Sequence, residues 1–382
     1  MIRFCLSISL SILFFSCTQS TGNSGLEKSV TDLETHPVVF RQLSPIEMKG
    51  YHDKIEEYYN KRYGKYFNGS VLVAKNGQIL FEDYKGLYDF QKKTPITENS
   101  PFHLASISKT LTAMTILRLW EQGRISLQDS IQKFFPKLPY TGITVEMLLE
   151  HRSGLPNYLY FMDSLKYRRQ MLSNWDVLNF MCDHPVPLMA TSGKSYHYCN
   201  TNYVLLALIT EIVTRQPFPV YMKDSVFTPL GMKNTFVFSI ADTGRYVPTY
   251  SVTRPFPMDQ YDCTYGDKNI YSTVRDLLKW DKALYENTFV KKETAEMAFK
   301  PYSNERKSKH NYGMGWHLYF NGGDSIIYHN GKWHGSNTAF TRLTQDTVTI
   351  IMLGNKLNSN IYHSREIGSI FTGKKDDAPL DE

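Results

Sequence analysis

The chain has 382 residues, of which 42% are hydrophobic and 14% aromatic, enough for a large core and incompatible with a globally disordered chain. Its 43 basic and 37 acidic residues give a net charge of only +6, without a long basic tract, which argues against nucleic-acid binding. The length suggests one large domain or two interleaved ones.

The first 17 residues have the pattern of an export signal. Arg3 precedes a short apolar run that ends at Ser16-Cys17, and this run is too short to span a bilayer comfortably. A small residue before Cys17 resembles a bacterial lipobox, so we expect lipidation of Cys17 and a membrane anchor. The protein would then lie in the bacterial cell envelope, facing the periplasm or the exterior; a plain signal peptide with an incidental cysteine is the alternative. Residues 18–43 are interpreted as a flexible linker.

The next segment predicts a helix followed by a hairpin. Ser44 begins the helix with a capping-box pattern, and the helix should end near Tyr63. Two strand-like runs, 70–74 and 78–84, flank Asn76-Gly77, which is a strong signal for a two-residue hairpin turn.

The middle of the chain has helical periodicity, and the last third returns to strands. We expect helices at 108–122, 201–215 and 360–371, and strands at 312–320, 325–329, 338–343 and 347–353.

These elements predict an α/β fold in which the N-terminal hairpin and the C-terminal strands form one antiparallel sheet flanked by the terminal helices. A mainly helical lobe would be inserted into it, with a cleft between the lobes. We expect one domain over 44–372, with a sheet lobe at about 44–103 and 280–372, a helical lobe at about 104–279, and a tail over 373–382.

The first candidate for catalysis is Ser106-Ile107-Ser108-Lys109 at the start of a predicted helix. Residues i and i+3 share a helix face, so Ser106 and Lys109 can touch. A serine hydroxyl becomes a nucleophile when a neighbouring base, such as a desolvated amine, takes its proton. A second S-x-x-K, Ser130 to Lys133, lies just before Phe134-Phe135-Pro136 and is interpreted as structural.

Two further motifs accompany this pair. Tyr198-Cys199-Asn200 precedes a buried helix, where its side chains would point into a cleft, and a phenol near Lys109 could lose its proton more easily and act as a general base. His329-Asn330-Gly331 ends a predicted strand, where a glycine would let a substrate approach the backbone. Either motif alone is more often structural than catalytic.

In this order, the motifs resemble the serine β-lactamase and penicillin-binding protein superfamily, in particular its class C β-lactamase-like branch of D-peptidases, D-aminopeptidases and esterases. Further stretches over about residues 50–355 also resemble this family. They are FHLASISKTLTAM, VEMLLEHRSGLPNY, YHYCNTNYVLLALI, YSTVRDLLKW, YGMGWHLYF and YHNGKWHG.

The resemblance implies a β-lactamase/transpeptidase-like fold and an acyl-enzyme mechanism without a cofactor or metal. Ser106 would be the acylated nucleophile, Lys109 the acceptor or relay of its proton, and Tyr198 the base for acylation and the acid for the leaving group. The substrate-binding residues would be Asn200, His329, Gly331 and Lys332, and Asn200 would hydrogen-bond the substrate amide. The backbone N–H groups of Ser106 and of Lys332, which follows Gly331, would form the oxyanion hole.

One departure affects the expected substrate. His329 stands where β-lactamases usually have a lysine that binds a substrate carboxylate, and a histidine near its reference pKa of about 6.5 is mostly neutral at pH 7. The sequence therefore favours a hydrolase of D-amino-acid amides, peptidoglycan fragments or small esters. A β-lactamase proper and a penicillin-binding sensor that acylates without turnover remain alternatives, and an adhesion protein would leave the ordered motifs unexplained.

Overall fold

The computed structural model describes residues 40–64, 66–164, 171–245, 247–321 and 324–374. The predicted signal peptide, Cys17, and most of the linker and the tail lie outside these ranges. Within them, no helix is both long enough and apolar enough to cross a bilayer.

In the described part of the chain, the strands belong to one large antiparallel sheet and two small sheets. They are β1 (Gly69–Lys75), β2 (Gln78–Lys85), β3 (Leu87–Asp89), β4 (Thr94–Pro95), β5 (Phe102–His103), β6 (Phe236–Val237), β7 (Ile270–Ser272), β8 (His310–Tyr312), β9 (His317–Asn321), β10 (Asp324–Trp333), β11 (Ser336–Leu343) and β12 (Val348–Gly354).

The α-helices begin before the sheet and fill the long excursion between its two halves. They are α1 (Pro45–Tyr63), α2 (Ser108–Glu121), α3 (Val145–Leu149), α4 (Tyr158–Ser164), α5 (Asn174–Asp183), α6 (Asn200–Thr214), α7 (Phe218–Tyr221), α8 (Val274–Tyr285), α9 (Lys292–Ala298) and α10 (Ser369–Thr372). Short 3₁₀ helices span Ala105–Ile107, Ile131–Lys133, Ile240–Arg245 and Ser359–Gly368, and a π-helical turn spans Met222–Phe227.

The large sheet has the strand order β2-β1-β12-β11-β10-β9-β8 among the described residues, so the N-terminal hairpin pairs with the last strand of the chain. Because side chains alternate along a strand, β1 buries Leu72 against the helical core and Val71 and Val73 against the opposite core with α1. The sheet is therefore covered on both faces. The predicted α/β fold with an antiparallel sheet and terminal helices is confirmed.

The local signals at the N-terminus are also confirmed. Ser44 caps α1 in a full capping box with Glu47. Asn76 and Gly77 both have positive φ, at 50° and 66°, as a type I′ hairpin turn requires.

Three predicted elements in the C-terminal third were wrong in extent. The strand at 312–320 is split into β8 and β9, because Gly315 has a φ of 86° in the turn between them. The strand at 325–329 continues to Trp333, because β11 pairs with it along that length, so His329-Asn330-Gly331 lies inside β10. The final helix is mainly the 3₁₀ helix at Ser359–Gly368, followed by α10.

Candidate active site

The nucleophile candidate lies on a tightly held turn between β5 and α2. Ala105, directly before Ser106, has a left-handed backbone with a φ of 49°, an uncommon conformation for a residue with a side chain. The turn is anchored on both sides, since Leu104 N–H donates to Ile270 O at 2.8 Å and Ile270 N–H donates to Ser108 Oγ at 3.2 Å. Ser106 itself is half-buried.

Lys109 lies one helical turn further on and is fully buried. Its Nζ is 3.1 Å from Ser106 Oγ and donates to the backbone oxygen of Asp267 at 2.9 Å. Burial lowers the pKa of Lys109 to about 8, although the negative charge of Asp267 opposes this shift. A neutral Lys109 can still donate to Asp267 O while its lone pair accepts the Ser106 proton.

Asp267, whose backbone oxygen accepts from Lys109, is held in place by contacts of its own side chain. The Asp267 carboxylate accepts from Tyr158 Oη at 3.0 Å and lies 3.5 Å from Nζ of buried Lys268. Lys268 also donates to Thr264 Oγ1 at 2.5 Å. This buried polar group fixes the backbone oxygen that orients the Lys109 amine.

Tyr198 comes from the loop before α6, and its ring packs beside Lys109, with Nζ 5.0 Å from the ring centroid. Burial raises the pKa of Tyr198, and the hydrogen bond with Ser106 offsets this only in part. The expectation that Lys109 makes this phenol easier to ionise is therefore wrong in the unliganded protein. The main cause is desolvation of the phenolate, and the nearby negative charge of Asp267 raises the pKa further.

His329 lies on β10 and is also buried. Its Nδ1 donates to Asn330 O at 2.7 Å, which leaves Nε2 to accept from Tyr312 Oη at 3.4 Å. Burial and the nearby His317 and Lys109 hold the pKa of His329 well below its usual value. The ring is therefore neutral at pH 7, in the direction that the sequence predicts.

Gly331 is needed for a different reason from the one that its motif suggested. A Cβ at this position would overlap the backbone oxygen of Leu104 and the hydroxyl of Thr338, and would crowd Ala105. Thr338 Oγ1 donates to the same Leu104 oxygen at 2.8 Å. The glycine thus lets β10 pack directly against the turn that carries Ser106.

These residues meet around one cavity of about 490 Å³. It is lined by Ser106, Tyr196, Tyr198, His317, Tyr328, His329, Asn330, Gly331, Lys332, Ser359 and Tyr362.

Not all of the predicted site residues line this cavity. Lys332 is exposed, while Lys109 lies behind the lining and touches Ser106 from within the protein. Asn200 begins α6 half-buried and is not among the lining residues, so the structure does not bring it to the cavity wall.

Sequence reasoning missed the aromatic part of this cavity. His317 is 4.8 Å from the His329 ring and 6.3 Å from the Tyr198 ring, centroid to centroid. Burial and nearby charges lower its pKa to about 3. A lone histidine on a strand has no spacing signal; its place at the cavity follows from the hairpin of β9 and β10, which pairs His317 with Tyr328, next to His329.

The second S-x-x-K is structural, as the sequence indicated. Ser130 caps a short 3₁₀ helix by accepting from Gln132 N–H, and Lys133 pairs with Asp129 at 2.8 Å. Cys182, Cys199 and Cys263 are free thiols.

Among the described residues, three side chains have donor atoms within 4.8 Å of one another and could hold a metal ion: Asp259, Asp262 and His334. His334 Nε2 is 3.2 Å from Asp259 and 3.7 Å from Asp262. Burial opposes a charge on this ring, but the two carboxylates raise its pKa to about 9. A protonated His334 accounts for the cluster as an ion pair.

With this geometry established, comparisons with known proteins identify the family. The family model described as Beta-lactamase matches residues 55–370. The chain belongs to the beta-lactamase family. This is a family of serine hydrolases and related acyl transferases.

Two curated proteins are similar to this chain in sequence. Penicillin-binding protein 4* of Bacillus subtilis is 31% identical over 314 residues, which are 78% of this chain and 70% of that protein. Protein flp of Staphylococcus aureus is 33% identical over 172 residues, which are 44% of this chain and 34% of that protein. In another strain the match is 26% identical over 324 residues, 80% of this chain and 63% of that protein.

Solved structures share the fold. The octameric penicillin-binding protein homologue from Pyrococcus abyssi superposes with a TM-score of 0.73 at 26% identity, covering 85% of this chain and 78% of that one. The D-amino acid amidase from Ochrobactrum anthropi SV3 does so with a TM-score of 0.68 at 21% identity, covering 85% and 98%. At that identity the amidase shows the fold alone.

Proposed function

We propose that this protein is a serine hydrolase that works through an acyl-enzyme on Ser106. The observation that carries the proposal is the contact of 3.1 Å between Ser106 Oγ and the Nζ of a fully buried lysine. A lysine with a pKa of about 8 is partly neutral at pH 7 to 8 and is a competent general base there.

In the proposed first step, Ser106 Oγ attacks the substrate carbonyl and Lys109 takes its proton. The developing oxyanion would accept from the backbone N–H groups of Ser106 and Lys332. Tyr198, which burial keeps protonated, would give its proton to the leaving group and regain one from the Lys109 ammonium. Water then hydrolyses the ester on Ser106, with the same groups acting in reverse.

We propose amides of D-amino acids, peptidoglycan fragments and small esters as substrates. The buried strand position next to the nucleophile holds a neutral His329, so it offers no fixed cation for a substrate carboxylate. Tyrosine rings line much of the cavity and suit an apolar or aromatic acyl group. The name of the Ochrobactrum amidase is consistent with this class.

The test is Ser106→Ala, measured on p-nitrophenyl esters and D-alanine p-nitroanilide. We expect a loss of kcat/KM of at least 10³-fold, because the covalent step disappears. Ser130→Ala is the matched control in the second S-x-x-K and should keep full activity. Equal activity of Ser106→Ala and the wild type would refute the proposal.

A penicillin-binding sensor is the second candidate, favoured by the relatives that are penicillin-binding proteins. Intact-mass spectrometry with excess penicillin separates the two functions. A long-lived adduct supports the sensor, whereas rapid loss of the adduct supports an enzyme that turns over.

We also propose export and lipid anchoring through Cys17. Expression in a bacterial host with a labelled fatty acid should label the wild type and not Cys17→Ala. Label on both proteins, or on neither, would argue against the anchor.

A further inference from the structure

His151 forms hydrogen bonds with the backbone on either side of Tyr198. It is fully buried after α3 and has a left-handed backbone with a φ of 56°. In this conformation its backbone oxygen accepts from His197 N–H at 2.7 Å, and its Nδ1 accepts from Cys199 N–H at 3.2 Å. One residue therefore binds the backbone N–H groups of the residues directly before and directly after Tyr198.

The imidazole ring also contacts the phenol itself. Its centroid is 4.3 Å from the ring of Tyr198 and 5.0 Å from the rings of both Tyr203 and Tyr312. Nδ1 lies 3.2 Å from Asn202 Nδ2, a second donor on α6. The backbone contacts fix the loop, and the ring contact fixes the direction in which the phenol points.

The hydrogen bonds determine the protonation state of His151. Because Nδ1 accepts from Cys199 N–H, it carries no proton, and a neutral ring then has its proton on Nε2. Among the described residues, Nε2 has no hydrogen-bond partner. A buried N–H without a hydrogen-bond partner lowers the stability of the folded protein. A histidine is therefore not the side chain that would make this position most stable.

A second buried histidine accepts from a backbone N–H next to the proposed nucleophile. His103 is buried, and its Nδ1 accepts from Ala105 N–H at 3.1 Å, directly before Ser106. Its Nε2 is 2.7 Å from Asn269 Oδ1. Two neutral, buried histidines thus each hold the backbone next to one proposed catalytic residue.

We propose that His151 is a positioning residue that fixes Tyr198 against Ser106, through Nδ1, its backbone oxygen and its ring. His151 does not line the cavity, so it acts through Tyr198 and does not touch substrate. The role rests on the proposed function of Tyr198, but the positioning itself can be measured separately.

The experiment uses two amide variants of the full chain. In His151→Asn, the side-chain oxygen can occupy the position of Nδ1, and asparagine tolerates positive φ. In His151→Gln, the amide reaches the position of Nε2 and leaves Cys199 N–H without its acceptor. We expect His151→Gln to lose about 100-fold in kcat with KM within threefold of the wild type, and His151→Asn to recover at least tenfold of that loss.

Ile55→Ala controls for lost stability, because Ile55 is fully buried in α1, in the core on the other face of the sheet. It should keep kcat at temperatures where it remains folded. Equal kcat in the Asn and Gln variants, or losses no larger than the unfolded fraction of each sample, would overturn the proposal.

Crystal structures of the two variants keep this test separate from that of the proposed function. We expect the backbone at Tyr198 to shift by more than about 1 Å in His151→Gln and to stay in place in His151→Asn. An unmoved Tyr198 in His151→Gln would overturn the positioning role, even if the wild type hydrolysed none of the substrates. Loss of activity in the variants with full activity in Ser106→Ala would instead refute the proposed function.

Discussion

The two sides of the active-site cavity are assembled in different ways. The nucleophile turn, residues 105–109, brings a hydroxyl and an amine together within one helical turn. The aromatic wall, formed by Tyr198, His317 and His329, brings three rings together from a loop and two strands. The first depends on local helix geometry, and the second depends on the packing of the whole sheet against the helical lobe.

The two sides also differ in charge. Lys109 is a buried amine that ionises near neutral pH, while burial keeps both histidines of the aromatic wall neutral. We infer that the nucleophile turn supplies the proton acceptor, whereas the aromatic wall supplies an uncharged proton donor, Tyr198, beside two neutral histidines. Substitutions on the turn should therefore have larger effects on catalysis than substitutions on the wall.

The largest effect is expected for Lys109→Met. Without the amine, Ser106 loses its base, and kcat/KM should fall by about 10³- to 10⁴-fold in assays of ester hydrolysis. Lys133→Met in the second S-x-x-K is the matched control and should have wild-type activity. A fall of less than tenfold in Lys109→Met would assign the base to another residue.

Lys109→Met should also stabilise the protein at pH 7. The pKa of Lys109 falls from about 10.5 unfolded to about 8 folded, so keeping the amine charged costs up to about 3 kcal/mol below pH 8. This cost disappears as pH rises from 8 to about 10.5. Denaturant unfolding should show a gain of about 1–3 kcal/mol at pH 7 that shrinks at pH 10, and a variant less stable than the wild type at pH 7 would contradict this.

Tyr198→Phe tests the aromatic wall. Removing the hydroxyl removes the proposed acid for the leaving group, so kcat should fall by about 10²- to 10³-fold with a smaller change in KM. The fall in kcat should be larger for amides than for p-nitrophenyl esters, because the p-nitrophenolate leaving group needs no proton. Tyr58→Phe, in another Tyr-x-Asn, is the control; equal losses on both substrate types would reject the acid role.

A pH profile sharpens the comparison further. Deprotonation of Lys109 should raise kcat/KM about tenfold per pH unit from pH 6 to about 8, followed by a plateau. His329 should add no inflection near pH 6.5, because its pKa lies well below that range. An inflection there that His329→Asn removes would show that the wall carries charge.

The smallest effect is expected away from the nucleophile, at His334. Its pKa is raised to about 9, so the pairing with Asp259 and Asp262 stabilises the fold fully below pH 6.5 and is lost as pH rises through 9. Asparagine tolerates the φ of 48° at this position. His334→Asn should cost about 1–2 kcal/mol in unfolding free energy at pH 6 and little at pH 10; a cost independent of pH would mean that His334 is neutral.

The sequence predicted the features that depend on neighbours along the chain. Helix spacing predicted the contact of Ser106 with Lys109, and capping and turn residues predicted α1 and the first hairpin. It could not predict the direction of the pKa shift at Tyr198, because burial comes from distant residues. Nor could it predict the place of Gly331 inside β10, since the pairing with β11 sets that strand's length.

His151 shows the same limit. It lies within VEMLLEHRSGLPNY, a stretch that already marked the family resemblance, but nothing in its spacing pointed to Tyr198. Their contact depends on how the loop after α3 packs on the loop before α6. Its role therefore follows from tertiary structure alone.

The central claim is that Ser106 is the residue that becomes acylated. The most direct test is to quench the reaction with a p-nitrophenyl ester or penicillin during turnover and map the adduct by tandem mass spectrometry. We predict that the acyl group lies on Ser106, within the tryptic peptide 94–109, and is absent from Ser106→Ala. An adduct on Ser108 or elsewhere, or one that persists in Ser106→Ala, would contradict the account.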